Sequence, residues 1–159
     1  MILRAAQAQD AAGIADIWNH VISATSATFT TQTKTPDEVA ALITARAPGF
    51  VVVEQAGQVA GFATYGAFRS GPGYAHTAEH SILLAGHAQG QGMGRALMTK
   101  LEQIARAQGM HCLIGAVSGE NAAGIAFHKA LGFAEAGRLP QVGRKFDRWM
   151  DLVLMHKVL

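Results

Sequence analysis

Gln89-Gly90-Gln91-Gly92-Met93-Gly94-Arg95 is the stretch on which the reading of this sequence turns. Three alternate glycines leave backbone N–H groups uncovered and let the main chain approach a ligand closely. Upstream lies an apolar run ending in Ile82-Leu83-Leu84. Downstream, Met93, Leu97, Leu101, Ile104 and Ala105 recur at helical spacing, Glu102 and Arg106 form an i,i+4 pair, and Gly109 supplies a stop. The pattern predicts a strand, a glycine turn and a helix from Gln91 to Gln108. That helix aims its positive dipole end at the turn, making a pyrophosphate site that requires no cationic side chain. The spacing is neither the G-x-G-x-x-G of a dinucleotide turn nor the Gly-Lys-Ser/Thr ending of a P-loop. A glycine-assisted helix start, with no ligand, is the plainer alternative.

Working outward, His76 to Leu84 reads as the strand before the turn, and His111 to Val117 as a strand covered on both sides. Asn121 to Leu131 reads as a short helix ended by Gly132, followed by strands over Phe133–Arg138 and Phe146–Met155. On the N-terminal side, Met1–Ala5 is a short strand, and Asp10 is placed to cap a helix over Ala11–Ile22. Thr35-Pro36-Asp37-Glu38 opens another helix with a capping box and a proline in the first turn, running to about Arg46. Phe50–Glu54 and Gln58–Phe68 are strands joined by a tight turn at Gly57, and Arg69–Tyr74 is a loop. The order implies one domain over residues 1–159, an α/β protein with helices on the faces of a mixed sheet.

Composition narrows the partners. Half of the 159 residues are hydrophobic and evenly spread, as in a globular chain. A net charge of +2 without a run of Lys or Arg indicates neither a nucleic-acid stripe nor a membrane-surface patch. The apolar segment Gly49–Phe68 carries Glu54, Gln55 and Gln58 in its middle, which suits a hairpin better than a bilayer helix. The polar Gln7 and Asp10 come too early for a signal peptide, and the lone Cys112 sits in an apolar stretch as a structural thiol. These features lead to the expectation of a cytoplasmic protein.

Gln89-x-x-Gly92-x-Gly94 resembles the acetyl-coenzyme A signature of the GCN5-related N-acetyltransferases (GNAT). Asn121-Ala122-Ala123 and Phe127-His128-Lys129-Ala130-Leu131-Gly132-Phe133 resemble that superfamily's second signature, in the expected order and separation. Asn19-His20, Ser26-Ala27-Thr28-Phe29, Phe68-Arg69, Tyr74-x-His76-Thr77-x-Glu79 and Pro140-Gln141-Val142-Gly143 through Trp149-x-Asp151 narrow the likeness. They resemble the phosphinothricin and methionine sulfoximine acetyltransferases along essentially the full chain. The resemblance implies the GNAT fold: a mixed, mostly antiparallel sheet of about seven strands, helices on both faces, and a splayed fourth and fifth strand. It also implies acetyl-CoA as donor, no metal, an amino-acid-like acceptor and a homodimer. Thr30 stands where phosphinothricin enzymes often carry an acidic residue, which leaves methionine sulfoximine, methionine sulfone or another amino acid open.

Acetyl transfer to an ammonium group needs a base, donors for the developing oxyanion and a proton source for the departing thiolate. Glu79, on the strand before the turn, is the candidate base, acting directly or through water; a surface carboxylate is the alternative. His128 stands where many relatives in the superfamily carry tyrosine, so it is a candidate partner of the sulfur, or else a satisfied structural histidine. The resemblance gives the backbone of Ile82, Leu83 and Leu84 to the acyl and pantetheine portions. Gln89 through Arg95 go to the pyrophosphate, and Asn121, also a natural helix cap, to the pantetheine arm. Arg69, Pro72, Gly73 and Tyr74 are the expected acceptor-binding residues, arginine being suited to a carboxylate or sulfoximine oxygen.

Two rivals remain. His76-Thr77-Ala78-Glu79-His80 matches the H-x-x-E-H pattern of some zinc peptidases, but on a strand His76 and His80 would lie roughly 13 Å apart. A non-catalytic coenzyme A sensor on the same scaffold is the second, since a fold does not guarantee chemistry.

Overall fold

The computed structural model describes residues 1–159 and builds them around one seven-stranded sheet of order β1-β2-β3-β4-β5-β7-β6. The strands are β1 (Ile2–Ala5), β2 (Phe50–Gln55), β3 (Gln58–Ala67), β4 (Thr77–Leu84), β5 (Cys112–Ser118), β6 (Ala134–Lys145) and β7 (Arg148–Val158). Every neighbouring pair is antiparallel except β4 and β5. Those two match Thr77–His80 with Cys112–Gly115 and then part; Ser81–Leu84 and Ala116–Ser118 have no mutual partners. This is the expected α/β architecture, with its splayed central pair.

Helices α1 (Ala11–Ala24) and α2 (Pro36–Arg46) cover one face; α3 (Met93–Ala107) and α4 (Ala122–Ala130) cover the other. Below α1 and α2, Phe62 is tilted against Trp18 and Phe50 at centroid distances of 4.9 and 5.7 Å. Below α3, Met93, Leu97, Leu101 and Ala105, four of the five positions that the helical spacing marked, are buried with Met98 against β2, β3 and β4, while Ile104 is half-buried at the margin of this core. The Thr35 box forms as read: Thr35 Oγ1 accepts from the Glu38 amide at 3.2 Å, and Glu38 Oε2 accepts from the Thr35 amide at 2.8 Å. Cys112 is buried, and no helix is long and apolar enough to cross a membrane.

Three local expectations change. Asp10 does not cap α1. It closes a short 3₁₀ turn by accepting from the Gln7 amide at 2.7 Å, and the Arg4 guanidinium takes both its oxygens at 2.8 and 2.9 Å. That ion pair holds the Asp10 carboxyl below its usual range. Helix α3 begins at Met93 rather than Gln91, because Gly92 adopts φ +79° and breaks the helical course. Strand β6 continues to Lys145, so Phe146 and Asp147, at φ 52° and 58°, form the hairpin turn instead of a strand start. Glu102 contacts Arg106 at 3.4 Å, but its closer partner is Lys157 on β7, at 2.8 and 2.9 Å.

Candidate active site

The parting of β4 from β5 opens a cleft of about 610 Å³ through the sheet. On the α3/α4 side its walls are Gln89, Gly94, Asn121, Phe127 and His128; on the α1 side they are Trp18, Val21, Thr25, Ala27, Thr28 and Phe29. Ser81, Ile82, Leu83 and Leu84 line one separated strand, and Ala116, Val117 and Ser118 the other. No Asp, Glu, Lys or Arg side chain is among the lining residues. The passage suits an uncharged chain threaded between two strands, with reactants meeting from opposite faces.

The glycine turn stands at the α3 end of this passage. Gly90 and Gly92 have φ +74° and +79°, and a Cβ built on either meets nothing within 4 Å. Their surfaces are open and the positive end of a 15-residue helix lies behind them, the geometry expected of an anion cradle. Of the residues assigned to this role, Gln89 and Gly94 face the cleft, while Gly90, Gln91, Gly92 and Arg95 are exposed around it. Gln91 is partly engaged, donating to the His87 carbonyl at 2.6 Å. The Met93 side chain is buried in the core, so only its backbone is available. Asn121 caps α4, its Oδ1 accepting from the Gly124 amide at 2.9 Å, and it lines the cleft as well.

At the fork of the strands the structure joins two histidines that no spacing connects. His128 Nδ1 lies 2.7 Å from the Gly124 carbonyl, and its Nε2 lies 2.9 Å from His80 Nε2. A carbonyl accepts, so Nδ1 of His128 must carry the proton and its Nε2 must accept from His80 Nε2–H. His80 Nδ1 is then bare, and it is buried without a partner. Gly115, the last residue of β5 paired with β4, makes room: a Cβ there would lie 3.0 Å from one ring and 3.2 Å from the other. Burial and, after it, the neighbouring His128 together lower the His80 pKa to about 3, and the Ile114 backbone opposes both without reaching hydrogen-bond geometry at Nδ1. Burial also lowers His128. Both rings are neutral at neutral pH, and both His128 nitrogens are already engaged. His128 therefore lines the cleft as a neutral polar wall, with no spare proton at rest.

Glu79 lies one residue before His80 and on the opposite face of β4, the α1/α2 side, sharing that face with Ser81 and Leu83. It does not itself line the cleft. Its register partner on β3 is Gly66, and the Arg46 guanidinium lies in the space a side chain there would take, 3.2 Å from a built Cβ. Glu79 is exposed and forms no salt bridge with Arg46, yet the two influence each other: partial desolvation raises the Glu79 pKa, and the Arg46 charge pulls it back. Arg69, Pro72, Gly73 and Tyr74 lie on the exposed loop between β3 and β4, which contains a 3₁₀ turn and sets Arg69 5.7 Å from the Tyr74 ring. The structure does not bring that loop into the cleft lining. His76 and His80 have separate partners, the Gly109 carbonyl and His128, which removes the geometry a zinc peptidase requires.

The GNAT acetyltransferase domain model matches residues 3–154. The chain belongs to the GNAT family. It is 39% identical over 158 residues to the L-amino acid N-acyltransferase MnaT of Escherichia coli, covering 98% of this chain and 92% of that one. It is equally similar, over the same shares, to an L-methionine sulfoximine/L-methionine sulfone acetyltransferase of Salmonella typhimurium. The structure of the Salmonella typhimurium acetyltransferase yncA, solved with its cofactor acetyl-CoA, superposes with a TM-score of 0.96 at 38% identity, covering 100% of this chain and 94% of that one.

The GNAT frame gives Glu79 a testable signature. If Glu79 is the base, it works only when deprotonated, so its raised pKa moves the acid limb of kcat/KM, which reports the unliganded protein, above the ordinary glutamate value of about 4.3. Arg46→Met removes the influence that lowers it, so the limb moves to still higher pH. A limb that stays put in Arg46→Met, measured in a kcat/KM–pH profile, contradicts this electrostatic coupling.

Proposed function

We propose that this GNAT protein transfers the acetyl group of acetyl-CoA to the α-amine of a small amino-acid-like acceptor, of the methionine sulfoximine and methionine sulfone kind. One observation carries the reading: an uncharged cleft passes through the sheet where β4 and β5 part, and a glycine-rich anion cradle stands at its α3 end. The observed residues fit such a donor. Open backbone at Gly90 and Gly92 suits the pyrophosphate, and the unpaired edges at Ser81–Leu84 and Ala116–Ser118 suit the amide groups of a pantetheine arm.

In this reading the acceptor enters from the α1/α2 face. Glu79 takes a proton from its ammonium group, directly or through water, and Ser81–Leu84 backbone amides hold the carbonyl oxygen where negative charge develops. The neutral His80–His128 pair gives the departing sulfur a polar contact. As the C–N bond forms and the C–S bond breaks, the nitrogen loses its second proton to solvent and the thiolate takes its proton from solvent, because the resting pair has none to release. Trp18, Val21, Ala27 and Phe29 wall the acceptor end without a cation, which favours an uncharged acceptor side chain over the anionic phosphinate of phosphinothricin. Arg69, with Pro72, Gly73 and Tyr74, is left to meet the acceptor's carboxylate from the loop between β3 and β4.

The β6–β7 hairpin exposes Leu139, Val142, Phe146 (50%) and Trp149 (59%) together. Such a patch on one ribbon is suited to a second copy of the chain, so the proposal includes a homodimer. Sedimentation at micromolar concentration should return the mass of two chains; a monomer there contradicts this part.

A thiol-release assay with acetyl-CoA and a panel of amino acids tests the activity. Turnover of methionine sulfone or sulfoximine should exceed that of phosphinothricin, and Glu79→Gln should lower kcat by roughly 10²- to 10⁴-fold. Tight acetyl-CoA binding without turnover of any amine would instead favour the sensor. Gly92→Val, which crowds the cradle and disfavours its positive φ, should raise the KM for acetyl-CoA; an unchanged KM counts against this donor site.

A further inference from the structure

Lys145, the last residue of β6, is only 4% exposed, yet no carboxylate accompanies it. Its ammonium donates to two backbone carbonyls, Thr25 at 2.7 Å and Thr28 at 2.8 Å. Those carbonyls belong to the segment after α1 whose Thr25, Ala27, Thr28 and Phe29 wall the α1 side of the cleft. Two residues earlier, Gly143 lets the Phe29 ring lie flat on β6; a Cβ there would overlap the ring. The hairpin therefore holds this wall twice, once by hydrogen bonds and once by close packing.

A lysine is a costly choice for a mere tether. Desolvation lowers the Lys145 pKa, so burial works against its charge. Methionine, with a stem of similar length, would fill the space without that cost, but it would leave the Thr25 and Thr28 carbonyls without their donor. Methionine cannot fix two carbonyls three residues apart. The ammonium sets the conformation of the segment, beyond simply filling space beneath it.

We propose that Lys145 is a positioning residue for acceptor recognition: its grip on the Thr25 and Thr28 carbonyls holds the Thr25–Phe29 wall in the shape the acceptor meets. The coenzyme side of the cleft, built on β4, α3 and α4, does not depend on it. The inference rests on the acetyl-transfer reading above, and it assigns a purpose to the Gly143–Asp151 portion of the hairpin that the chemistry leaves unused.

Lys145→Met tests it by steady-state kinetics and urea unfolding. The expected result is a KM for the amino-acid acceptor raised by about tenfold or more and a KM for acetyl-CoA unchanged within twofold, in a variant that urea unfolding shows to be folded under the assay conditions. Lys145→Arg, which keeps N–H donors, should recover part of the acceptor KM. An unchanged acceptor KM in the folded Met variant, or equal rises in both KM values, overturns the proposal. Should the Met variant fail to fold, Gly143→Ala displaces Phe29 while leaving the lysine in place; it must raise the acceptor KM selectively, and an unmoved value overturns the proposal equally. An unaltered protein that binds acetyl-CoA but acetylates no amine defeats the acetyl-transfer reading itself. An active enzyme indifferent to residue 145 defeats the positioning role alone.

Discussion

The interrupted ladder between β4 and β5 is the feature on which the remaining structure depends. Four register pairs, Thr77–His80 with Cys112–Gly115, bind the strands; beyond them each strand keeps its outer neighbour and loses its inner one. Backbone N–H and C=O groups inside a protein require partners, so strand edges separated in mid-sheet leave an unmet demand that water or a peptide-like ligand must satisfy. The fork lies at the point where the His80 and His128 rings meet over Gly115. A glycine there admits both rings; any larger residue would push one of them into the opening. Packing at the fork and openness beyond it are thus one arrangement.

From that fork the cleft divides its work by electrostatics. Its interior carries no formal charge, and burial keeps both imidazoles neutral, so it accommodates a neutral, amide-bearing chain without desolvating ions. Charge is handled at the margins. The glycine cradle offers backbone dipoles to phosphates on one side, and Glu79 with Arg46 occupies the other face of the sheet. Alternation along β4 produces this separation: Glu79 and His80 are neighbours in sequence and point to opposite faces.

Much of this was legible in the residues themselves. The Thr35 capping box, the apolar stripe of α3 and the glycine turn are local signals, and each appears where its spacing placed it. What sequence reasoning missed are the contacts between distant segments. His80 and His128 are 48 residues apart, and Lys145 is 120 residues from Thr25, so no periodicity links them. A signal for His80 did exist, since it shares the apolar alternation of Ala78 and Ile82 and so was bound to be buried. Asp10 had the composition of a helix cap, but a bidentate Arg4 outweighs one capping bond. The hairpin turn at Phe146-Asp147 escaped notice because neither residue is glycine, although both adopt positive φ.

Amide hydrogen exchange along β4 and β5 measures the central claim directly. If the parted strands receive a peptide-like arm, saturating acetyl-CoA should slow exchange within Ser81–Leu84 and Ala116–Ser118, while the already paired Thr77–His80 segment changes little. Saturation of binding with exchange in both parted segments unaltered would contradict the account.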